Sequence, residues 1–284
     1  MNLKLLKQKI YFNFFRIVTA VVVAFLIYMI GTFVYNGIGV IDWTFLTDIP
    51  RRGMTEGGIF PAIVGTLYLT LATMAFALPI GIAAAIYLVE YAKEGRIVGA
   101  INSAIINLAG IPSVIFGLFG FGLFVVFMGL GTSILAGALT MSLLVLPIVI
   151  AATREALLSV PKSFREGSLA LGATKWQTTR NNVLPYALPG MLTGIILAVA
   201  RAAGETAPII TTAAFFFSPS IPTSPLQGTM ALSTHIYYMA TQHPNIGLVR
   251  PITYGTALVL LVMVLSLNLI AIIVRTRYRR RRNW

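Results

Sequence analysis

Six long apolar stretches, at residues 17–35, 62–89, 101–128, 132–152, 186–217 and 252–274, constrain this chain more than any other feature. A helix needs about 20 apolar residues to cross the roughly 30 Å hydrocarbon layer of a bilayer, and each stretch meets that length. Hydrocarbon offers no hydrogen bonds, so a lone spanning segment must satisfy its own backbone as a helix. Composition points the same way: 57% of the residues are hydrophobic and 10% are charged, against about 25% charged in a soluble domain. Six spans in 284 residues leave little length for a separate soluble domain. The predicted fold is all-α, a polytopic membrane protein of six transmembrane helices. Lys4, Lys7, Lys9 and Arg16 precede the first stretch, as they would in a signal peptide. Its apolar core is too long for one and no small-residue cleavage site follows, so it reads as an anchor.

Basic residues set the orientation, because cytoplasmic segments near span ends are enriched in Lys and Arg. With both termini inside, the cytoplasmic segments hold Lys4, Lys7, Lys9, Arg16, Lys93, Arg96, Arg154, Lys162, Arg165, Lys175, Arg180 and the six arginines between Arg275 and Arg282. That is 17 of the 21 basic residues; Arg51, Arg52 and Arg250 fall outside and Arg201 falls within a span. The net charge of +13 is therefore sidedness rather than a nucleic-acid footprint. The basic tail, residues 277–282, would lie against anionic lipid head groups. The expected location is the cell (inner) membrane, multi-pass, with both termini cytoplasmic and no nucleic-acid partner.

Arg201 and Glu205 are the charged residues that fall inside a predicted span, in Arg201-Ala202-Ala203-Gly204-Glu205-Thr206-Ala207-Pro208. Counting from Pro185 at about 1.5 Å per residue, Arg201 lies roughly 24 Å along its helix, past the midplane. A central arginine costs at least about 2.5–3.5 kcal/mol on insertion scales, so such residues face an interior or a wet path. A spacing of four puts Arg201 and Glu205 on one face, where they pair. Pro208 cannot donate to the Gly204 carbonyl, so the helix should bend or open there. Transporter sites are built at such breaks. Two readings stay open: a structural salt bridge between helices, or a path on which Arg201 attracts an anion while Glu205 holds it in place. A guanidinium suits tetrahedral oxyanions because its donors form a fork.

Other polar features are weaker. Thr66, Thr70 and Thr73 share a face of the second span, and Gly110, Pro112, Gly117, Gly120 and Gly122 in the third most simply permit close helix packing. External residues 42–56 and 226–241 are candidates for gating or for contact with another protein; the latter segment is expected to hold a short helix. Cysteine is absent, which removes disulfides and thiolate metal sites. His235 and His243 lie outside the membrane without acidic neighbours, so neither a metal site nor a catalytic base is expected. A phosphate-binding P-loop needs Gly-Lys, and no lysine here follows a glycine. This chain therefore carries no P-loop of its own.

The longest inside segment, residues 154–185, is polar yet reads as two short helices. Pro161 and Lys162 open the first, Gly172 breaks it, and Thr174 caps the second. Glu166-Gly167-Ser168, then Gly172 three residues on, then Leu184-Pro185, resembles the EAA loop of ABC-transporter permeases. That pattern is Glu-Ala-Ala, three residues, Gly, nine residues, Ile, one residue, Leu-Pro. Gly167 and Ser168 replace the alanines, and Asn182 stands at the isoleucine. Residues 57–66 (Gly-Gly-Ile-Phe-Pro-Ala-Ile-Val-Gly-Thr), 111–120 (Ile-Pro-Ser-Val-Ile-Phe-Gly-Leu-Phe-Gly) and 201–208 are similar to phosphate-transport permeases of the PstA type. The resemblance runs from about Gly57 to the last span. It implies residues 57–284 as a type I ABC permease-like core, with residues 1–56 as the cytoplasmic segment, first span and external loop before it. It implies a PstC-like sister permease, two ATPase subunits that carry ATP-Mg, and an external phosphate-binding protein, with no cofactor in this chain and no enzymatic activity of its own. Arg201, Glu205 and Thr206 would lie on the phosphate path, Gly204 and Pro208 would make the helix break, and Glu166, Gly172, Leu184 and Pro185 would couple to the ATPase. Permeases for sulfate, molybdate or phosphonate, and an ion-coupled secondary transporter, remain the alternatives.

Overall fold

The computed structural model describes residues 3–93 and 95–280, and the outermost tail arginines Arg281 and Arg282 lie outside the described residues. The helices in chain order are α1 (Leu3–Gly37), α2 (Trp43–Thr47), α3 (Phe60–Ile86), α4 (Arg96–Ala109), α5 (Ser113–Gly120), α6 (Ile134–Leu158), α7 (Lys162–Ala170), α8 (Lys175–Thr178), α9 (Leu184–Gly204), α10 (Ala207–Thr212), α11 (Leu232–Thr241) and α12 (Ile246–Arg280). A two-stranded hairpin, β1 (Pro50–Arg51) with β2 (Glu56–Gly57), lies between α2 and α3.

Five helical runs are long and apolar enough to span: Gln8–Val40, Phe60–Tyr91, Ile134–Leu158, Lys175–Gly204 and Ile246–Arg277. The sixth expected span, 101–128, is a broken pair: α4 and α5 with its π-helical extension meet at 103°. Gly110 ends α4, and Pro112, with extended ψ of 138°, starts α5. Proline has no N–H and disfavours a helical residue before it, so a continuous helix stops there. Gly110 and Pro112 thus make a corner rather than a packing surface. Gly117 and Gly120 do permit close packing, since a Cβ would meet Pro208 at the one and Thr140 at the other, while Gly122 faces open space.

The core is α3, α6 and α9. Without a hydrophobic drive between helices in lipid, small residues let backbones approach. Gly190 and Gly194 on α9 face Ala156 and Ala152 on α6, and Gly81 on α3 faces Val149. By contrast α1 exposes most of its apolar side chains from Ile10 to Tyr35 and meets the bundle at its C-terminal end, where Gly37 abuts the Tyr254 backbone of α12 and Phe33 packs on the Tyr254 ring at 5.9 Å.

The connections expected outside the membrane cap the bundle. Asp42 caps α2 by accepting from the Phe45 N–H at 2.6 Å. His243 Nε2 lies 2.9 Å from the Gly53 carbonyl, joining the hairpin segment to the connection after α11. Residues 226–231 are not helical as expected: Thr229 pairs with the Ala213–Phe215 backbone, and α11 begins only at Leu232. The same loop supplies the Gln227 and Pro225 carbonyls to Ile134 and Leu135 N–H, while Ser133 Oγ accepts from Ala136. Helix α6 thereby satisfies N-terminal donors that a helix cannot satisfy within itself.

Candidate functional site

The fifth span ends at Gly204 rather than at Phe217. Glu205 is extended, with ψ of 145°, and α10 restarts at Ala207 with Pro208 in its first turn. The break falls where Pro208 leaves the Gly204 carbonyl without a donor. Arg201 stands in the last turn of α9, where a cation is favoured by the helix dipole. Its Nε lies 3.4 Å from Glu205 Oε1, so the expected pair is present but loose. The Arg201 side chain is 42% exposed and that of Glu205 17%. Among the described residues Arg201 makes no hydrogen bond within the chain, leaving most of its fork open to another anion.

The surroundings hold the break in place. Ala202 and Ala203 are buried, and Gly204 is open, with nothing within reach of a Cβ. Ser233 on α11 donates to the Glu205 carbonyl at 2.7 Å, and the Leu232 N–H donates to Thr66 Oγ1 on α3 at 2.8 Å. Helix α11 therefore bridges the second span to the break. Thr206 precedes α10 and its carbonyl accepts from Ile210 N–H at 3.1 Å. Thr66, Thr70 and Thr73 donate to their own helix at 2.7 Å each, and Thr66 alone of the three also accepts across it.

At the other end, residues 154–185 form the expected two-helix knob. Gly172 separates α7 from α8 with φ of +84°, a left-handed conformation suited to glycine. Thr174 and Gln177 form a reciprocal capping box on α8. Glu166 is exposed on α7, and Leu184 and Pro185 open α9 behind a π-helical turn, Thr179–Val183. Ser168 and Asn182 depart from the EAA pattern and contact each other: Asn182 Nδ2 donates to Ser168 Oγ at 2.9 Å, and Ser168 Oγ lies 3.0 Å from Thr178 Oγ1. Two departures that look independent in sequence form one polar clasp across the knob. Leu171 and Trp176 project outward, 90% and 53% exposed.

Glu90 was not among the expected site residues, because the second apolar stretch stops at Val89. The helix continues as a π-helical turn, Tyr87–Tyr91, and buries Glu90. Arg165 on α7 forks onto it, with Nη2 2.7 Å from Oε1. Removing one partner of such a buried pair costs about 3–5 kcal/mol, since the other charge is left uncompensated. The sequence offers one faint signal, an acid placed directly after an apolar stretch, and nothing that names its partner.

Residues 77–284 match the family described as binding-protein-dependent transport system inner membrane component. The chain is 39% identical over 208 residues to the phosphate transport system permease protein PstA 1 of Mycobacterium tuberculosis, covering 73% of this chain and 67% of that one. It is 35% identical over 263 residues to the probable phosphate transport system permease protein PstA of Methanocaldococcus jannaschii, covering 92% and 91%. Among solved structures it is similar to a bacterial ABC transporter involved in the import of the acidic polysaccharide alginate, with a TM-score of 0.64, 17% identity, and coverage of 96% of this chain and 99% of that one. That likeness is one of fold, the helical core of an ABC importer's membrane subunit. Taken with the spans, the broken fifth helix and the two-helix knob, the match over 77–284 means that this chain belongs to the binding-protein-dependent transport system inner membrane components.

Proposed function

We propose that this chain is one of two permease subunits of an ATP-driven importer and that its cargo is inorganic phosphate. The observation that carries the path is Arg201: a guanidinium at a break in a spanning helix, paired loosely at 3.4 Å and open on one side. The names of the relatives, phosphate transport system permeases, support phosphate among the oxyanions. Because the Arg201 side chain is on the surface of the single chain, a PstC-like sister permease supplies the facing wall of the path. Glu205 and Thr206 line the path beside it, and Gly204 and Pro208 keep the backbone open.

Glu166, Gly172, Leu184 and Pro185 shape the knob that docks on a separate ATPase pair, with exposed Leu171 and Trp176 offering apolar contact. ATP-Mg acts on those subunits, and this chain needs no cofactor of its own. Both termini face the cytoplasm, and an external phosphate-binding protein delivers the cargo to the opposite side. ATP closes the ATPase pair, the knob follows, the spans open outward to receive phosphate near Arg201, and hydrolysis resets them inward.

The test is uptake in proteoliposomes that hold the full complex. Labelled phosphate should enter, and excess unlabelled phosphate should suppress it. Arg201→Ala should lower uptake about a hundredfold or more while the complex still assembles. Uptake blocked by sulfate but not by phosphate would assign a different oxyanion. Loss of assembly in Arg201→Ala would make the pair a structural bridge, and uptake by this chain alone, without an ATPase, would make it a secondary transporter.

A further inference from the structure

One side chain, Arg165, holds three elements at the cytoplasmic face. Its Nε lies 3.1 and 3.3 Å from Glu90 Oε1 and Oε2, and its Nη2 lies 2.7 Å from Oε1. Nη1 donates to the Val160 carbonyl at 2.7 Å and Nη2 donates to the Leu157 carbonyl at 2.8 Å. Leu157 is in the last turn of α6 and Val160 follows it, so the guanidinium satisfies carbonyls at that helix end. Glu90 belongs to the π-helical end of α3, and its side chain is 6% exposed. Arg165 itself is part of α7, the first helix of the knob.

Helix α7 has no fully buried residue. Phe164 is half-buried, with its ring 5.1 Å from that of Tyr186, and Arg165 reaches inward beside it. Phe164 packs against the apolar cluster that includes Ala85 and Leu157, and the charged fork is the polar tie of α7 to the second and fourth spans. A forked guanidinium–carboxylate pair fixes orientation as well as distance. Its partners cannot part without leaving a charge unpaired in a low-dielectric setting.

We propose that the Arg165–Glu90 pair is the joint that passes displacement of the knob to α3 and α6, making both positioning residues for transport. The inference rests on the reading of the knob as the ATPase-docking element. Gly172 shapes that element; the pair is what transmits its motion. A push on α7 is carried by Arg165 to the inner ends of two core spans at once, so both tilt together.

The test uses the full complex in proteoliposomes and measures uptake per ATP hydrolysed, with assembly followed by size exclusion. Glu90→Gln keeps shape but removes the charge, and Glu90→Gln with Arg165→Gln removes both charges, so that no unpaired ion is buried. The double variant should assemble as the parent does, yet its uptake per ATP should fall about tenfold while hydrolysis continues. Glu90→Asp, which keeps the charge, should recover part of that loss. Uptake per ATP within about twofold of the parent in the assembled double variant overturns the proposal. Loss of the complex in both the single and the double variant also overturns it, because the pair is then a structural bond. A parent complex that imports another oxyanion leaves this measurement intact, with that oxyanion as cargo. A parent with no ATP-dependent uptake removes the underlying reading itself.

Discussion

Arg201 and His235 show two ways in which a costly side chain is housed. Arg201 meets Glu205 one turn on and keeps part of its surface open. His235, on α11 in the connection between the fifth and sixth spans, is buried with neither ring nitrogen hydrogen-bonded. Burial pushes its imidazole down from 6.5 to about 4, because the charged form loses its hydration. A depressed folded value means that the unfolded chain takes the proton first as pH falls. The stability held above about 6.5 is therefore lost progressively towards 4. We expect the purified protein to be less stable at pH 5 than at pH 7.5 by about 2 kcal/mol on this account. His235→Leu should flatten that dependence in thermal unfolding followed by tryptophan fluorescence, and an unchanged pH dependence would remove His235 as its source. Thr66 shows a smaller effect: its hydroxyl donates back to its own helix, yet its oxygen also receives the Leu232 N–H. One hydroxyl thus fastens α11 to the second span.

At the scale of elements, two of the spanning helices stop where a proline removes the next backbone donor and a glycine lets the chain turn. Gly110 and Pro112 turn one expected span into two pieces at 103°, and Pro208 ends the fifth span thirteen residues before its apolar run stops at Phe217. The apolar residues beyond Gly204 form α10 and a strand-like stretch held by Thr229 instead. In the knob, Gly172 has open space where a Cβ would stand, so a substitution there is resisted by backbone conformation alone. A β-branched residue in that left-handed conformation costs about 1–2 kcal/mol or more, whereas asparagine adopts it readily. Gly172→Val should therefore lower uptake per ATP several-fold and Gly172→Asn should retain most of it, read as phosphate uptake against ATP hydrolysis in the reconstituted complex. Equal coupling in the two variants would show that the turn between α7 and α8 does not shape the docking element.

For the molecule as a whole, the expected sidedness, with 17 basic residues on the cytoplasmic side against three outside, can be measured directly, because the chain has no cysteine. Arg51→Cys, on the exposed hairpin, should react with a membrane-impermeant maleimide in intact cells. Lys9→Cys should react only after permeabilisation, and the opposite pattern would invert the topology. Much of this architecture was legible in the sequence. The apolar stretches that form the spans, the Arg201–Glu205 pairing, the break near Pro208 and the two-helix knob all follow from apolar length, spacing of four and the chemistry of proline and glycine. Those rules work within one segment, and a bilayer enforces them because each spanning backbone must satisfy its own hydrogen bonds. Contacts between segments obey no such local rule. Arg165 finds Glu90 across 75 residues, Asn182 clasps Ser168 across 14, and the loop at Gln227 caps a helix that begins at Ile134. No periodicity spans those distances, so only the tertiary packing of the helix ends could decide which polar group meets which. The sequence by itself determined the spans and their charged break; the fold decided how the knob is tied to them.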